Sequence, residues 1–556
     1  MFKIDVKLIK TLNNTNKLFK NGETTAFLTD YQKKILKFVQ SKDFQARKLL
    51  LLYMDTGTGK TLTSLSCAAS LLAEGHAKRI IILSPKSIQE EFMKQFNKFC
   101  TLIDPTNTNA DKQKMLKDIR SKLISVCYNS NNTYKYFKEI PNRDNTVYII
   151  DEAHLFCRAI MKVQIPDNKK EEYNEAEFIN NGQCKKVYEE FLKLNNSYFL
   201  FLTGTPSAKT PFETVPLFNL AGVGFPENIE EFMTRYFKGT QIQHKDELQS
   251  VLKNLIVYVP GDNSRQQLKT TPLQVHEVEM SIPQYIKYLD DYQQELREKG
   301  YVRHVNQYGW GFGQISSFHA KTFGDSVYIP VKVDEKKQTI DNTHAPKIMQ
   351  MYEDSAKIHG KCCFYFKFVE RGVNSMRQKL ENEGYTLAST DYDEVFSHTA
   401  KRYVIFTGSE SVKTKYTYMR NFNQLQNIYG DYIKYILLSP AGSVGINLGS
   451  IRYLGIGSVE YNYSSIRQIM GRCNRLNSHI SLPIKDRTLS NNIYLAVSNK
   501  TYIQQHKKKL EQWYTRMAPE HKEQFPSIER CIYQNSLVDD KVSEEFRKMM
   551  QEISII

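Results

Sequence analysis

A short apolar segment that runs into a glycine-rich turn and a lysine is the feature that most limits how this chain can fold. Leu50–Met54 predicts a buried strand, and the turn Gly57-Thr58-Gly59-Lys60-Thr61 follows it directly. Apolar residues with helical spacing begin at Leu62. A strand, a glycine turn and a helix in this order are typical of α/β domains built on a parallel sheet, with the turn at the carboxyl edge of the sheet.

The turn has the chemistry of a phosphate-binding loop. Gly57 and Gly59 let successive backbone N–H groups point at phosphate oxygens from the start of a helix. Lys60 would reach the β- and γ-phosphates, and the Thr61 hydroxyl would hold Mg²⁺. The complete pattern has a glycine where this chain has Met54. A simple turn between a strand and a helix is therefore the alternative when the turn is taken alone.

Two carboxylates follow another strongly apolar segment. Val147–Ile150 predicts a buried parallel strand, and Asp151-Glu152-Ala153-His154 comes directly after it. Open α/β sheets bind ligands at this end of their strands. Asp151 would hold Mg²⁺, and Glu152 would polarise the attacking water in a phosphoryl transfer.

Two arginines lie far along the chain, in the segment Gln468–Arg475. Arg472 and Arg475 are three positions apart, which predicts that they share one helix face. One or both would act as an arginine finger that counters charge on a γ-phosphate. Taken alone, such a pair is usually a solvated helix face, but Gln468 and Gly471 stand in register with it. A nucleotide held between two lobes would explain why both sets of residues are present.

A further apolar strand is predicted at Tyr198–Leu202, and Thr203-Gly204-Thr205-Pro206 follows it. With this strand and turn added to the other motifs, the chain resembles superfamily 2 helicases and translocases of the DEAH type. The resemblance implies an α/β fold of two tandem RecA-like parallel-sheet domains, with an inserted helical segment and a helical C-terminal tail. It also implies ATP as substrate and Mg²⁺ as cofactor. His154, Thr203 and Thr205 would couple the ATP site to lobe movement.

Other residues acquire expected roles from the same resemblance. Gln32 lies where such proteins read adenine, although a surface glutamine on an early helix is the alternative. Ser84 and Lys86 follow a predicted strand at Ile80–Leu83 and would contact the nucleic-acid backbone, although Lys86 could be an ordinary loop lysine.

The second half of the chain contains a matching set of segments. Ala441–Leu448 resembles the Swi2/Snf2-like segment that closes on nucleic acid and nucleotide. Within it, Ser443 would contact nucleic acid and Gly445 would take part in coupling, as would Gln468. Strands are predicted at three places, Lys361–Phe366, Tyr435–Ser439 and Tyr453–Ile456.

A narrower resemblance rests on two segments outside the shared motifs. Arg475-Leu476-Asn477-Ser478-His479 extends the arginine segment, and Phe525-Pro526-Ser527-Ile528-Glu529-Arg530 opens the tail. Both are similar to the poxvirus nucleoside triphosphate phosphohydrolase I group, which includes the early transcription factor small subunit and a protein of yeast cytoplasmic linear plasmids. The resemblance implies a role in transcription, with an RNA polymerase or other transcription proteins as partners.

Composition agrees with a polyanionic partner. The 556 residues carry a formal charge of +16, and phosphates are met by Lys and Arg. DNA is expected more than RNA. The nine cysteines form no CxxC pair, which favours a reducing compartment over a zinc site. No apolar run reaches membrane-spanning length. We therefore expect a cytoplasmic or virion protein without a membrane partner.

The motif positions predict five regions. They are a polar lead-in (1–24), an ATP-binding lobe (25–225), an intervening helical and aromatic segment (226–340), a second lobe (341–498) and a helical tail (499–556). In the tail, apolar residues from Val542 to Ile553 recur at helical spacing.

Three functions are open at this point. The first is a nucleic-acid-dependent ATPase that translocates and assists transcription of a viral or plasmid genome. The second is a processive DNA or RNA unwinding helicase in replication or RNA processing. The third is a largely structural subunit of a transcription complex, against which the intact Lys60, Asp151, Glu152, Arg472 and Arg475 argue.

Overall fold

A computed structural model describes most of the chain. The described residues are 28–55, 57–103, 117, 121–128, 130–162, 175–208, 210–261, 267–299, 339–440, 446–460, 462–475, 477–514 and 527–556. They divide into two compact units. The first unit takes the described residues of Met1–Gly261 and Lys541–Ile556, and the second takes those of Asp262–Asp540.

The first unit is built on a parallel sheet flanked by helices. Its strands are β1 (Leu49–Met54), β2 (Arg79–Ser84), β3 (Leu123–Cys127), β4 (Thr146–Asp151), β5 (Tyr198–Thr203), the pair β6 (Phe237–Lys238) and β7 (Gln241–Ile242), and β8 (Ile256–Val259). Its helices are α1 (Asp30–Val39), α2 (Lys42–Arg47), α3 (Lys60–Ala73), α4 (Lys86–Ile103), α5 (Thr133–Glu139), α6 (Ala153–Lys162), α7 (Glu175–Phe191), α8 (Val215–Asn219), α9 (Ile229–Tyr236) and α10 (Lys245–Leu252). The sheet has six strands in the order β3-β2-β4-β5-β1-β8.

The apolar strands are buried because helices cover both faces of this sheet. Every residue of β1, β4 and β5 is buried. Alternate residues of β1, namely Leu50, Leu52 and Met54, pack in one core with residues of α1 and α3. Continuous apolar runs are what a parallel strand with two covered faces requires. The polar residues that follow β1, β4 and β5 thus lie at one edge of the sheet.

The second unit repeats this architecture. Its strands are β9 (Lys269–Thr270), β10 (Gln274–Glu279), β11 (Lys361–Tyr365), β12 (Thr386–Leu387), β13 (Arg402–Phe406), β14 (Tyr435–Leu438), β15 (Ile451–Ile456) and β16 (Thr488–Val497). Its helices are α11 (Ile282–Lys299), α12 (Pro346–Ala356), α13 (Asn374–Asn382), α14 (Tyr392–Phe396), α15 (Val412–Phe422), α16 (Tyr463–Cys473), α17 (Lys500–Gln505), α18 (Lys507–Tyr514) and the first half of α19 (Ile528–Glu552). The strand order is β10-β16-β15-β11-β14-β13-β12, with β9 beside β16.

Strand β11 shows why this sheet also has two cores. Cys363 and Tyr365 pack in one hydrophobic cluster, whereas Cys362 and Phe364 pack in the other. The alternation follows from the two-residue period of a strand. The predicted α/β class with two parallel sheets is confirmed, and so is the helical end of the chain.

The units differ in extent from the regions expected from the motifs. Strand β8 pairs with β1, so the first unit continues past residue 225 to Gly261. Strands β9 and β10 lie in the expected intervening segment but pair with β16 in the second sheet. The tail residues Lys541–Ile556 belong to the first unit. No helix in the described part of the chain has the length and apolarity needed to span a membrane.

Candidate active site

The glycine turn after β1 leaves the start of helix α3 open. Gly57 and Gly59 have φ values of +87° and +83°, a region that favours glycine. Gly59 is the N-cap of α3, and no side chain caps the helix there. The Thr58 hydroxyl donates to the Asp55 carbonyl at 2.7 Å and so closes the turn on itself. The backbone N–H groups at this helix start are therefore available to an anion.

Helix α1 supports the same turn with two side chains. The Gln32 Nε2 donates to the Thr63 Oγ1 at 3.0 Å, and the Tyr31 hydroxyl donates to the Thr58 carbonyl at 2.6 Å. A Cβ at Gly59 would lie 2.9 Å from the Gln32 Nε2, and a residue there has to adopt a φ of +83°, which favours glycine. The predicted glutamine thus lies against the turn, and its reading of adenine stays a prediction. Tyr31 was missed because a lone tyrosine on an amphipathic helix gives no signal.

Lys60 lies close to the turn Thr203-Gly204-Thr205-Pro206 that follows β5. A Cβ at Gly204 would lie 3.3 Å from the Lys60 Nζ and 3.4 Å from the Met54 carbonyl oxygen. The Lys60 ammonium therefore lies over the turn that follows β5. A side chain at position 204 would require the ammonium to shift by a few tenths of an ångström.

The carboxylates after β4 share the same sheet edge with Lys60. Burial and the neighbouring Glu152 charge raise the pKa of Asp151 to about 7 from 3.8, while the Lys60 ammonium opposes the shift. The Asp151 Oδ1 accepts the Glu152 N–H at 2.9 Å. Two acidic groups and one ammonium in a partly desolvated place provide what a metal ion and a phosphate would need.

Glu152 has an unusual backbone conformation with a φ of +48°. The buried Tyr128 hydroxyl lies 3.1 Å from the Asp151 carbonyl oxygen and 3.1 Å from the Glu152 carbonyl oxygen. Tyr128 was not among the site residues predicted from the sequence. Its position directly after β3, a strand in the same sheet, was the available signal.

His154 connects the carboxylates to the turn after β5. Its Nδ1 lies 2.9 Å from the Thr203 Oγ1 and 3.5 Å from the Glu152 Oε2. The Thr203 Oγ1 accepts the Thr205 N–H at 3.0 Å. Burial lowers the pKa of His154 to about 4 from 6.5, so the imidazole is neutral at pH 7. The contact with Glu152 is then a polar contact between a neutral ring and a carboxylate.

Two of the three residues expected to contact nucleic acid, Ser84 and Lys86, differ in exposure. Ser84 ends β2 and is completely buried, whereas Lys86 is exposed at the start of α4. The Ser84 carbonyl accepts the Tyr128 N–H at 3.2 Å. Only Lys86 presents its side chain to solvent at this place, and both roles stay predictions.

Helix α16 in the second unit holds Gln468 and Arg472 but ends at Cys473. Asn474 has φ −120° and ψ 59°, which takes the chain out of the helix. Arg475 therefore follows the helix, and the prediction that both arginines share a helix face is wrong. The physical reason is that asparagine has a low helix propensity and readily adopts non-helical dihedral angles.

The segment after Arg475 is fixed by a buried histidine. The His479 Nε2 lies 2.6 Å from the Ile451 carbonyl oxygen, and its Nδ1 lies 2.7 Å from the Ser478 Oγ. The Arg475 carbonyl accepts the Ser478 N–H at 2.9 Å. Burial lowers the pKa of His479. This extension of the arginine segment thus anchors the Arg475 backbone to the start of β15.

The first half of α19 is attached to the second unit by two ion pairs. Glu529 lies 2.9 Å from the buried Lys347 ammonium and also accepts the Ala496 N–H at 2.6 Å. Asp540 receives both terminal nitrogens of Arg467, at 2.9 and 2.7 Å. Because Arg467 lies on α16, the tail helix supports the helix that carries Gln468 and Arg472.

Ser443 and Gly445 lie outside the described residues. Their predicted roles are untested.

Known proteins resemble this chain over most of its length. The SNF2-related domain family matches residues 31–308. The termination factor NPH-I homolog of African swine fever virus (isolate Pig/Kenya/KEN-50/1950) is 27% identical, over 91% of this chain and 76% of that protein. Nucleoside triphosphatase I of Heliothis armigera entomopoxvirus is 24% identical, over 85% of this chain and 74% of that protein.

Among solved structures, the Sulfolobus solfataricus SWI2/SNF2 ATPase core in complex with dsDNA is 15% identical, with a TM-score of 0.32, over 89% of this chain and 96% of that one. The predicted resemblance to superfamily 2 and to the poxvirus group is confirmed by the sequence matches, while the DEAH subtype stays a prediction. The chain belongs to the SNF2-related domain family, within the superfamily 2 helicase-like ATPases.

Proposed function

We propose that this chain is a nucleic-acid-stimulated ATPase that translocates on DNA and assists transcription. One observation carries the ATPase part. The Lys60 ammonium, the Asp151–Glu152 pair and the Thr203–Gly204 turn all lie at the carboxyl edge of one parallel sheet. Ligands bind at this edge in open α/β sheets, and phosphoryl transfer needs positioning and charge stabilisation from such groups.

The glycine turn, Thr61 and the two carboxylates of the first unit each have a role in this proposal. The N–H groups of Gly57, Gly59 and Lys60 would bind the β-phosphate, and Lys60 would neutralise charge on the β- and γ-phosphates. Thr61 and Asp151 would hold Mg²⁺, which supplies charge neutralisation when bound. Glu152 would accept a hydrogen bond from the attacking water and orient it towards the γ-phosphate.

The contacts of His154 support a role in coupling. A neutral imidazole 2.9 Å from the Thr203 hydroxyl and 3.5 Å from the Glu152 carboxylate would transmit a change in the carboxylate to the turn at Thr203–Thr205. Gln468 and Gly445 of the second unit would take part in the same coupling.

Arg472 and Arg475 would complete the site from the second unit. We infer that ATP binding needs only the first unit, whereas hydrolysis needs the arginines beside the γ-phosphate. Nucleic acid would favour that closed state if it binds it more tightly than the open state. Movement between the two states is what would drive translocation.

Several features support nucleic acid as the partner. The formal charge is +16. Lys86 is exposed at the carboxyl edge of the first sheet, and Ser84 and Ser443 are the other residues expected to contact nucleic acid. The relatives include a termination factor homolog and a nucleoside triphosphatase of large DNA viruses, which supports a role in transcription beside an RNA polymerase. A cytoplasmic or virion location stays a prediction.

An unwinding helicase is the second candidate, because translocation with and without strand separation uses the same motifs. The proposal is tested by ATP turnover with single-stranded DNA, duplex DNA and RNA in parallel, followed by strand displacement on the best activator. We expect DNA to stimulate turnover strongly without processive displacement. Turnover that no polymer changes would contradict the proposal, and processive displacement would favour the helicase.

A further inference from the structure

The peptide between Asp151 and Glu152 is held on both sides. Its N–H donates to the Asp151 Oδ1 at 2.9 Å, and its carbonyl oxygen lies 3.1 Å from the Tyr128 hydroxyl. The same hydroxyl lies 3.1 Å from the Glu152 carbonyl oxygen. The single proton of Tyr128 is therefore shared between the two carbonyls on either side of Glu152.

This peptide needs such support because Glu152 has a φ of +48°. Residues with a side chain populate this region sparsely, and they persist there only when their surroundings fix the backbone. Rotation of the peptide would turn its N–H away from the Asp151 carboxylate. It would also redirect the Glu152 side chain, since both depend on the same torsion angles.

Tyr128 is itself held firmly. Its ring packs edge-on against Phe156, with centroids 5.5 Å apart, and its carbonyl accepts a hydrogen bond from the Cys184 thiol at 3.3 Å. Its N–H donates to the Ser84 carbonyl at 3.2 Å. The hydroxyl faces two carbonyl oxygens, which can only accept a hydrogen bond, so it serves as a donor.

We propose that Tyr128 is a positioning residue for ATP hydrolysis, which holds the left-handed Glu152 and the Asp151 carboxylate in their working orientation. It also connects these carboxylates to Ser84, at the end of the strand that leads to Lys86. Tyr128 is buried and contacts the backbone of Asp151 and Glu152, so its loss should lower kcat and leave the KM for ATP unchanged. The inference rests on the proposed ATPase function.

The test is Tyr128→Phe, which removes the hydroxyl and keeps the ring. Tyr148→Phe is the matched control, because the Tyr148 hydroxyl also donates to a carbonyl, that of Arg143 at 2.8 Å. Tyr148 is equally buried and lies on β4, the strand that leads to Asp151. Turnover at saturating DNA, the KM for ATP, the affinity for DNA and the melting temperature are measured on both variants and on wild type.

We expect Tyr128→Phe to lower kcat about tenfold, equivalent to about 1.4 kcal/mol in the barrier, with KM and DNA affinity within twofold of wild type. Tyr148→Phe should melt at a similarly lowered temperature but keep the wild-type kcat. Equal kcat in Tyr128→Phe and wild type would overturn the role of Tyr128 and leave the ATPase proposal standing. An equal fall in kcat in both variants would also overturn it, since the effect would then be general. Wild type that hydrolyses no ATP would overturn the proposed function itself.

Discussion

Asp151→Asn should raise the stability of the nucleotide-free protein at pH 8. Folding buries Asp151 beside the Glu152 carboxylate, which raises its pKa from 3.8 to about 7. The folded state then binds the proton more tightly than the unfolded state, so stability falls as the pH rises. This loss begins near the unfolded pKa and is complete above the folded pKa.

The size of the effect follows from the shift. A pKa shift of one unit corresponds to about 1.4 kcal/mol. The rise in the pKa of Asp151 from 3.8 to about 7 therefore corresponds to roughly 4 kcal/mol of unfolding free energy at pH 8. This figure already includes the attraction to Lys60, which opposes the shift. Asparagine keeps a side-chain oxygen that can accept the Glu152 N–H, which lies 2.9 Å from the Asp151 Oδ1 in the wild type. At pH 5 less than half of the gain should remain, because Asp151 is then largely protonated when folded.

The assay is thermal unfolding of wild type and Asp151→Asn at pH 5 and pH 8, without nucleotide. A gain of a few kcal/mol in a unit of this size raises the melting temperature by roughly 5–10 °C. Asp246→Asn is the control, since Asp246 is exposed in the same unit and should change little at either pH. Added Mg²⁺ and ATP should stabilise wild type more than Asp151→Asn. A variant that melts at or below the wild-type temperature at pH 8 would refute the reasoning.

Three further expectations concern catalysis, DNA binding and stability. Lys60→Ala and Glu152→Gln should each lower ATP turnover by at least roughly 10²-fold in folded protein, and near-normal turnover in either would remove the site assignment. DNA affinity should be largely independent of sequence and fall with salt, with a log–log slope of several units; a flat response would favour the structural-subunit alternative. Glu529→Ala removes the carboxylate beside the buried Lys347 ammonium and should cost about 3–5 kcal/mol, whereas Arg530→Ala breaks an exposed pair with Glu277 and should cost under about 1 kcal/mol. Similar unfolding free energies for the last two variants would contradict the importance of the buried pair.

Local patterns in the sequence predicted the strands and the turns that carry the first half of the site. The segment Val147–Ile150 lies in β4, and the glycine turn begins α3, as expected. These features depend on residues that are neighbours in the chain, namely a continuous apolar run and the glycines after it. The structure then brings Lys60 and Gly204 together, which the order of the motifs had indicated.

Contacts between residues that are far apart in the chain could not be predicted from the sequence in the same way. Nothing around Tyr128 shows that its hydroxyl reaches the carbonyls of Asp151 and Glu152. The pairing of Lys347 with Glu529 joins residues that look like ordinary surface charges in the sequence. Helix ends are similarly difficult, because a single residue, Asn474, ends α16 and separates Arg475 from the helix that holds Arg472.

The most direct test of the central claim is the stimulation of ATP turnover by DNA in wild type, Arg472→Ala and Arg475→Ala. Nucleotide affinity and melting temperature are measured on the same preparations. An arginine finger contributes about 10³–10⁵ in rate, so the wild type should be strongly stimulated. Each variant should bind nucleotide normally, melt close to the wild-type temperature and lose most of the stimulated turnover. Equal stimulation in wild type and both variants would contradict the claim that the second unit completes the ATP site.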